Sequence, residues 1–145
     1  TLSLIPNVRR QVDLPLIVRI SADEWMNEGW KINDSIYLSK ELEKIGVNAI
    51  HVSSGGNQEK TDNSPELKPL YQSNWAKQIK KEINIPVIAV GLITTAIEGE
   101  KLLEEKYCDF VAYGRELLRS PNFAFYAASE FKEKDKINSS YQRAF

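Results

Sequence analysis

Pro86-Val-Ile-Ala-Val-Gly91 is an apolar run that ends in a glycine, and Asp109-Phe-Val-Ala-Tyr-Gly-Arg115 repeats this arrangement. The segment between the two runs has the apolar spacing of an amphipathic helix. Short apolar runs separated by a helix are typical of buried parallel strands in βαβ units. The sequence therefore predicts two successive parallel strands that carry Gly91 and Gly114 at their carboxyl ends.

The same alternation extends over the rest of the chain. Further strands are predicted at residues 15–20 and 48–53, where apolar and β-branched residues dominate. Helices are predicted from Asn33 or Asp34 to Ile45, over 73–83, from Thr94 or Thr95 onward, and from Ser120 onward. The result is an α/β chain of four βα units, which forms a single domain over residues 1–145 with a solvated tail from about residue 133.

Four βα units fit two architectures. They are half of an eight-stranded (β/α) barrel, and they come close to a small open flavodoxin-like sheet, which has five strands. A Rossmann dinucleotide site has no support, because no G-x-G-x-x-G follows a strand. The first residue is Thr1, and residues 5–12 resemble the end of a longer helix, so we expect a piece of a longer protein.

The composition excludes several classes of function. The net charge of −1 gives no bulk attraction to nucleic acid or to a membrane surface, and no apolar run approaches the roughly 20 residues of a membrane span. The chain has one cysteine and one histidine, so a Cys/His metal site is not expected. The single Cys108 fits a reducing, cytoplasmic location.

The glycines at the strand ends point to a phosphate site. A residue without a Cβ lets a ligand approach bare backbone N–H groups. Arg115 adds a charged guanidinium directly after Gly114. We therefore predict a phosphate cradle at Gly91, Gly114 and Arg115. The alternative is that the glycines only permit tight turns and that Arg115 pairs with a neighbouring glutamate.

Four motifs, taken in order and spacing, resemble the old yellow enzyme family, in particular its bacterial NADPH dehydrogenase branch. They are Val18-Arg-Ile-Ser21, Val52-Ser-Ser-Gly55, Ala89-Val-Gly-Leu-Ile93 and Gly114-Arg-Glu-Leu-Leu-Arg-Ser-Pro121. The resemblance implies the carboxyl-terminal half of a TIM (β/α)₈ barrel, strands five to eight. It also implies an FMN cofactor, NADPH or NADH as the hydride source, and reduction of the C=C bond of α,β-unsaturated carbonyls.

The resemblance also implies roles for individual residues. Arg19 corresponds to the arginine beside the flavin pyrimidine, where a fixed cation stabilises the reduced ring; the alternative is a surface or salt-bridged arginine. Gly91, Gly114 and Arg115 correspond to the FMN-phosphate site. The other cofactor-binding positions are Leu92, which lies near the cofactor, and Ser54 and Gly55, which shape the mouth of the site.

Four further residues have open interpretations. Trp25 either contacts substrate or shields the barrel mouth, and the same holds for Trp30. His51 is either a satisfied strand histidine or a general acid. Arg143 either resembles the tail arginine that this branch inserts into a neighbouring subunit's active site, or is a solvated tail residue.

The family features that have no counterpart here define the expected partners. The ligand-binding histidine pair, the catalytic tyrosine and the flavin's other wall are absent, and the glycine common before Tyr71-Gln72 is replaced. We expect the missing amino-terminal half-barrel and a second copy of the chain as partners, and an inactive isolated chain. Two alternatives remain: a non-redox barrel fragment that binds a phosphorylated metabolite, and a self-associating half-barrel without catalysis.

Overall fold

The computed structural model describes residues 2–145, which contain a four-stranded sheet with parallel pairing throughout. The strands are β1 (Ile17–Ser21), β2 (Ala49–Ser53), β3 (Val87–Ala89) and β4 (Phe110–Val111). Their order in the sheet is β1-β2-β3-β4, so each strand pairs with the next one along the chain. A flavodoxin-like sheet reverses direction after its first strands. The sequential order excludes that alternative and confirms the predicted part of a barrel.

The helices connect the strands or follow the last of them. They are α1 (Ile5–Gln11), α2 (Ile32–Ile45), α3 (Ser73–Lys80), α4 (Ala96–Glu104), α5 (Arg115–Arg119) and α6 (Phe123–Glu130). Short 3₁₀ turns follow at residues 134–136 and 142–144. Across residues 2–145, no helix combines the length and apolarity that crossing a membrane requires.

Local signals set most helix ends. Gly46 closes α2 with φ of 91°, as predicted for a glycine cap. Thr95 caps α4 by accepting the Glu98 N–H at 3.1 Å. The start of α2 differs from the prediction, because its cap is Lys31. The predicted cap Asp34 instead lies in the first turn and accepts the Lys31 N–H at 2.9 Å.

The two faces of the sheet differ in that helices pack on only one of them. Ile20, Val52 and Ala89 point to the helical side and are buried there. Ile17 and Phe110 alternate to the other side and are 54% and 58% exposed. Successive residues of a strand face opposite sides, and the face away from the helices is the interior of a closed barrel. The chain therefore leaves an open, partly apolar interior face.

The last βα unit departs most from the prediction. The strand predicted at 109–113 is shorter and covers Phe110–Val111, although the Ala112 N–H still donates to the Ala89 carbonyl at 2.8 Å. The Tyr113 hydroxyl donates to the Thr95 carbonyl at 3.2 Å. The helix predicted from Ser120 begins at Phe123, and the short α5 precedes it. Unrecognised turn residues between two short helices account for the difference.

The carboxyl-terminal segment folds back onto α6. The ring of Phe125 lies 5.6 Å from that of Tyr141 and 5.4 Å from that of Phe145, and Ser129 Oγ donates to the Phe145 carbonyl at 3.0 Å. Ile137 is 2% exposed. The segment after residue 133 is thus packed at its aromatic and aliphatic positions, while its charged residues are solvated.

Candidate functional site: a cleft at the carboxyl ends of the strands

A cleft of about 500 Å³ opens at the carboxyl ends of the four strands. Its volume lies within the range of about 300–1,000 Å³ that small-molecule sites occupy. Six of the seven predicted cofactor residues line it: Arg19, Ser54, Gly91, Leu92, Gly114 and Arg115. Trp25 lines it as well. Loops after different parallel strands meet at this edge, which is where barrel enzymes carry their sites.

Gly91 and Gly114 are required for different reasons. Gly91 has φ of 133°, and a Cβ on it would stand 2.9 Å from Gln72 Cβ, so a glycine is needed for the fold itself. Gly114 has an ordinary φ of −98°, and a Cβ on it would meet no atom within 4 Å. Of the two glycines, Gly114 alone has open space where a side chain would stand. The cradle at Gly91, Gly114 and Arg115 stays a prediction.

Hydrogen-bond donors without partners converge on this part of the cleft. Among residues 2–145, the backbone N–H groups of Leu92, Gly114 and Arg115 have no backbone acceptor. The neighbouring Glu116 forms an ion pair with Arg119. The Arg119 Nε donates to the Glu116 carboxylate at 3.1 Å. The Arg115 guanidinium forms no ion pair within residues 2–145, so the alternative of an Arg115–glutamate pair is not observed. These groups make a site suited to an oxyanion.

Arg19 lies on the open face of the sheet and is held by β2. Its Nη1 lies 3.0 Å from His51 Nε2, and its Nη2 donates to Ser53 Oγ at 3.1 Å. His51 is directly opposite Arg19 in the parallel register. Burial and, secondly, the Arg19 charge lower the pKa of His51. Neutral His51 accepts a hydrogen bond from the Arg19 guanidinium. This bond fixes the orientation of Arg19 without neutralising its positive charge.

Trp25 forms a wall of the cleft with strained backbone. Its φ is 61°, and its N–H donates to Asp23 Oδ1 at 2.7 Å. The indole lies flat over Gly55, where a Cβ would stand 2.3 Å from the ring. Gly55, the seventh predicted cofactor residue, therefore lies behind Trp25 instead of lining the cleft. Trp30 is elsewhere, donating to Ser35 Oγ at 2.6 Å.

Three buried polar side-chain atoms have no partner within residues 2–145: Trp25 Nε1, Ser54 Oγ and Gln72 Oε1. All three residues line the same cleft. Buried polar groups are almost always hydrogen-bonded, and each exception calls for an explanation. Their concentration at one place indicates a site whose partner comes from outside the chain.

The prediction missed Tyr71 and Gln72 as members of the cleft. The available signal was the replaced glycine before them. Leu70 occupies that position and keeps the left-handed φ of 65° that a glycine would adopt freely. Its N–H donates to the Gly91 carbonyl at 3.1 Å, and its side chain packs on the core, which together hold the strained backbone.

Comparison with known proteins identifies the family. The NADH:flavin oxidoreductase / NADH oxidase family matches residues 1–134. The chain belongs to this family. The match covers every strand and every cleft residue described above, and it confirms the resemblance to the old yellow enzymes that the four motifs predicted.

Three curated relatives of this member of the NADH:flavin oxidoreductase family are named NADPH dehydrogenase. Those of Bacillus cytotoxicus, Geobacillus sp. (strain WCH70) and Listeria monocytogenes are 37%, 36% and 35% identical to this chain over 97%, 98% and 98% of its length. The chain spans 40–41% of the length of these relatives. A solved L-talarate/galactarate dehydratase is similar in fold alone, with 17% identity, a TM-score of 0.51 and coverage of 89% of this chain and 29% of that one.

Besides Gly55 and Trp30, two further predicted residues of this family member lie outside the cleft lining. His51 acts on the cleft only through Arg19. Arg143 is exposed in the last 3₁₀ turn, which is docked on α6 of its own chain. Its predicted insertion into a neighbouring subunit stays a prediction.

The lowered pKa of His51 predicts a dependence of stability on pH. Below the usual pKa of 6.5 the unfolded chain binds a proton that the folded chain does not. Stability is therefore complete above about pH 6.5 and falls as the pH drops toward the folded pKa. The His51 ring is half-buried and partly screened by solvent, so we expect only a small loss of stability at low pH. Urea unfolding at pH 7.5 and 5.5 measures it. His51→Gln, which keeps an acceptor for Arg19, should reduce the difference; an unchanged difference contradicts the assignment.

Proposed function

We propose that this chain is the carboxyl-terminal part of an FMN-dependent NAD(P)H oxidoreductase that reduces α,β-unsaturated carbonyls. The observation that carries the proposal is the concentration in one cleft of groups that have no partner within residues 2–145: three buried side-chain atoms and the Arg115 cation. The family assignment and the NADPH dehydrogenase relatives agree with a flavin as the missing partner.

The residues of the cleft fit the parts of FMN. Gly114 and Arg115 would hold the phosphate, since they combine open space, free N–H groups and a planar cation. Arg19, oriented by its hydrogen bond to His51, would lie against the electron-rich pyrimidine edge. Bound FMN supplies hydride transfer from NADPH or NADH to an electron-poor C=C bond. The chain itself contributes binding, orientation and the fixed charge.

The phosphate assignment predicts a selective effect of Arg115→Ala. Losing a charge-assisted hydrogen bond should weaken FMN binding by about 1.5–3 kcal/mol. Riboflavin, which has no phosphate, should bind equally well to both proteins. Flavin fluorescence titrations measure the two affinities.

The matched control is Arg10→Ala, which removes an exposed arginine of α1 that bonds only to Asn7 and Pro6. This variant should bind FMN normally. Equal losses for FMN and riboflavin in Arg115→Ala would contradict the phosphate assignment. A chain that binds inorganic phosphate but neither flavin would favour a non-redox phosphometabolite site.

The open interior face requires a partner. Ile17, Ile88 and Phe110 lie on it, and β1 and β4 each pair on one side only within residues 2–145. Edges and apolar patches of this kind recruit other chains. We propose that the partner in the working enzyme is the amino-terminal half-barrel, and that the isolated chain pairs with its own copy.

Self-association is testable with one surface change. Phe110→Lys places a charge on the open face and should shift the chain from dimer or larger species toward monomer. Ile97→Lys is the control, because Ile97 is equally exposed at 60% but lies on α4, on the helical side. Light scattering at micromolar concentration gives the masses. A monomeric unmodified chain, or equal effects of both variants, would contradict the proposal.

A further inference from the structure

Tyr71 is fixed to the predicted phosphate cradle through its neighbours. The Leu70 N–H donates to the Gly91 carbonyl at 3.1 Å, and the Tyr71 N–H donates to the Lys68 carbonyl at 3.2 Å. Gln72 packs so closely on Gly91 that a Cβ there would meet its Cβ and Cγ at 2.9 and 3.0 Å. The position of the Tyr71 ring therefore depends on the same glycine that ends β3.

The hydrogen bonds of Tyr71 leave its proton free. A phenolic hydroxyl has one donor and two acceptor positions. Gln72 Nε2 donates to the Tyr71 oxygen, and within residues 2–145 the Tyr71 hydroxyl has no acceptor. Tyr71 lines the cleft, and Gln72, 6% exposed, has its Oε1 buried without a partner. The Gln72 amide thus donates to one lone pair of the Tyr71 oxygen, and this hydrogen bond orients the Tyr71 O–H.

We propose that Tyr71 donates a hydrogen bond to an oxygen of the ribityl-phosphate chain of bound FMN, and that Gln72 is the residue that positions it. The inference rests on the proposed FMN function. An oxygen-rich chain is the matching chemistry, because the cradle beside Tyr71 suits a phosphate and a hydroxyl of the ribityl chain is both donor and acceptor.

A double-mutant cycle tests the pair. Tyr71→Phe should raise the Kd for FMN by about fivefold to tenfold, the scale of one hydrogen bond. Gln72→Met keeps an unbranched chain against Gly91 and removes the amide, so it should raise the Kd by a similar factor without lowering the Tm. In the Tyr71→Phe background, Gln72→Met should have no further effect on FMN binding. Tyr37→Phe, on the exposed side of α2, is the control and should bind FMN normally.

Different flavins locate the contact. A loss for FMN alone places the accepting oxygen on the phosphate, and a loss for FMN and riboflavin places it on the ribityl chain. An equal loss for lumiflavin, which carries neither, overturns the inference, because Tyr71 would then act on the ring. Additive effects of the two variants, or unchanged FMN binding by Tyr71→Phe, also overturn it.

The titrations are made on the 145-residue chain and on the chain co-folded with the amino-terminal part of the Bacillus cytotoxicus NADPH dehydrogenase. FMN binding by the unmodified protein together with normal binding by Tyr71→Phe overturns the inference and leaves the proposed function intact. A protein that binds FMN in neither form contradicts the proposed function and the inference together.

Discussion

No NADPH-driven reduction of 2-cyclohexenone is expected from the 145-residue chain alone, and its FMN binding should be weak. Ene-reduction requires donors that polarise the substrate carbonyl and a proton source opposite the hydride. The chain offers a cation at Arg19 and the proposed phosphate cradle, but its interior face is open to water, with Phe110 58% exposed. Absorbance in the flavin region and NADPH oxidation at 340 nm measure binding and turnover.

Co-folding with a complementary half should restore both properties. The chain spans 40% of the Bacillus cytotoxicus NADPH dehydrogenase, so the amino-terminal remainder of that protein is a suitable complement. Two barrel halves share one interior, and each covers the other's open face. The control is the same mixture with the Phe110→Lys chain, which should recover less colour and turnover. Robust turnover by the 145-residue chain alone would contradict the prediction, and His51 would become the first candidate for a general acid.

Gly91→Ala should destabilise the chain by about 2–4 kcal/mol. An alanine at φ of 133° is strained, and its Cβ would approach Gln72 Cβ to 2.9 Å in a buried position. Because Gln72 also contacts Tyr71, FMN binding should fall as well. Urea unfolding gives the free energy, and flavin titration gives the affinity.

Gly114→Ala is the matched variant at the second cradle glycine. The added Cβ meets no protein atom within 4 Å, so no steric clash with the rest of the described chain adds to its cost. Its loss of stability should therefore be smaller than that of Gly91→Ala, by about 1 kcal/mol or more. FMN binding should nevertheless weaken, since the Cβ enters the cleft. Equal losses of stability in the two variants, or normal FMN binding by Gly114→Ala, would contradict the distinction between the two glycines.

Local signals account for the parts of the fold that were predicted correctly. The runs that became β2 and β3 are apolar and β-branched, and Gly46 and Thr95 end and begin helices by interactions within one turn. The strand β4 is shorter than predicted and the helix α5 was not predicted; in this unit the Tyr113 hydroxyl donates to the Thr95 carbonyl, 18 residues away in sequence. Contacts between distant segments cannot be read from local pattern.

The residues of the candidate site likewise divide into those that the sequence predicted and those that it did not. Motif and glycine position identified Arg19, Ser54, Gly91, Leu92, Gly114 and Arg115, all of which line the cleft. The sequence could not place Gly55 behind the Trp25 indole, nor show that Glu116 pairs with Arg119 and leaves Arg115 without an ion pair in the part of the chain that the structure describes. It also missed Tyr71 and Gln72, whose loop carries no periodic pattern and meets Gly91 only in three dimensions.

By itself, the sequence determined the α/β class, the four βα units and the family, because these depend on periodicity and on motifs whose residues are close along the chain. The tertiary structure decided which donors are satisfied. His51 is turned toward Arg19 by the parallel register of β1 and β2, and three buried polar atoms of one cleft have no partner among residues 2–145. Hydrogen bonding depends on distance in space, and the sheet brings together groups that the sequence separates by tens of residues.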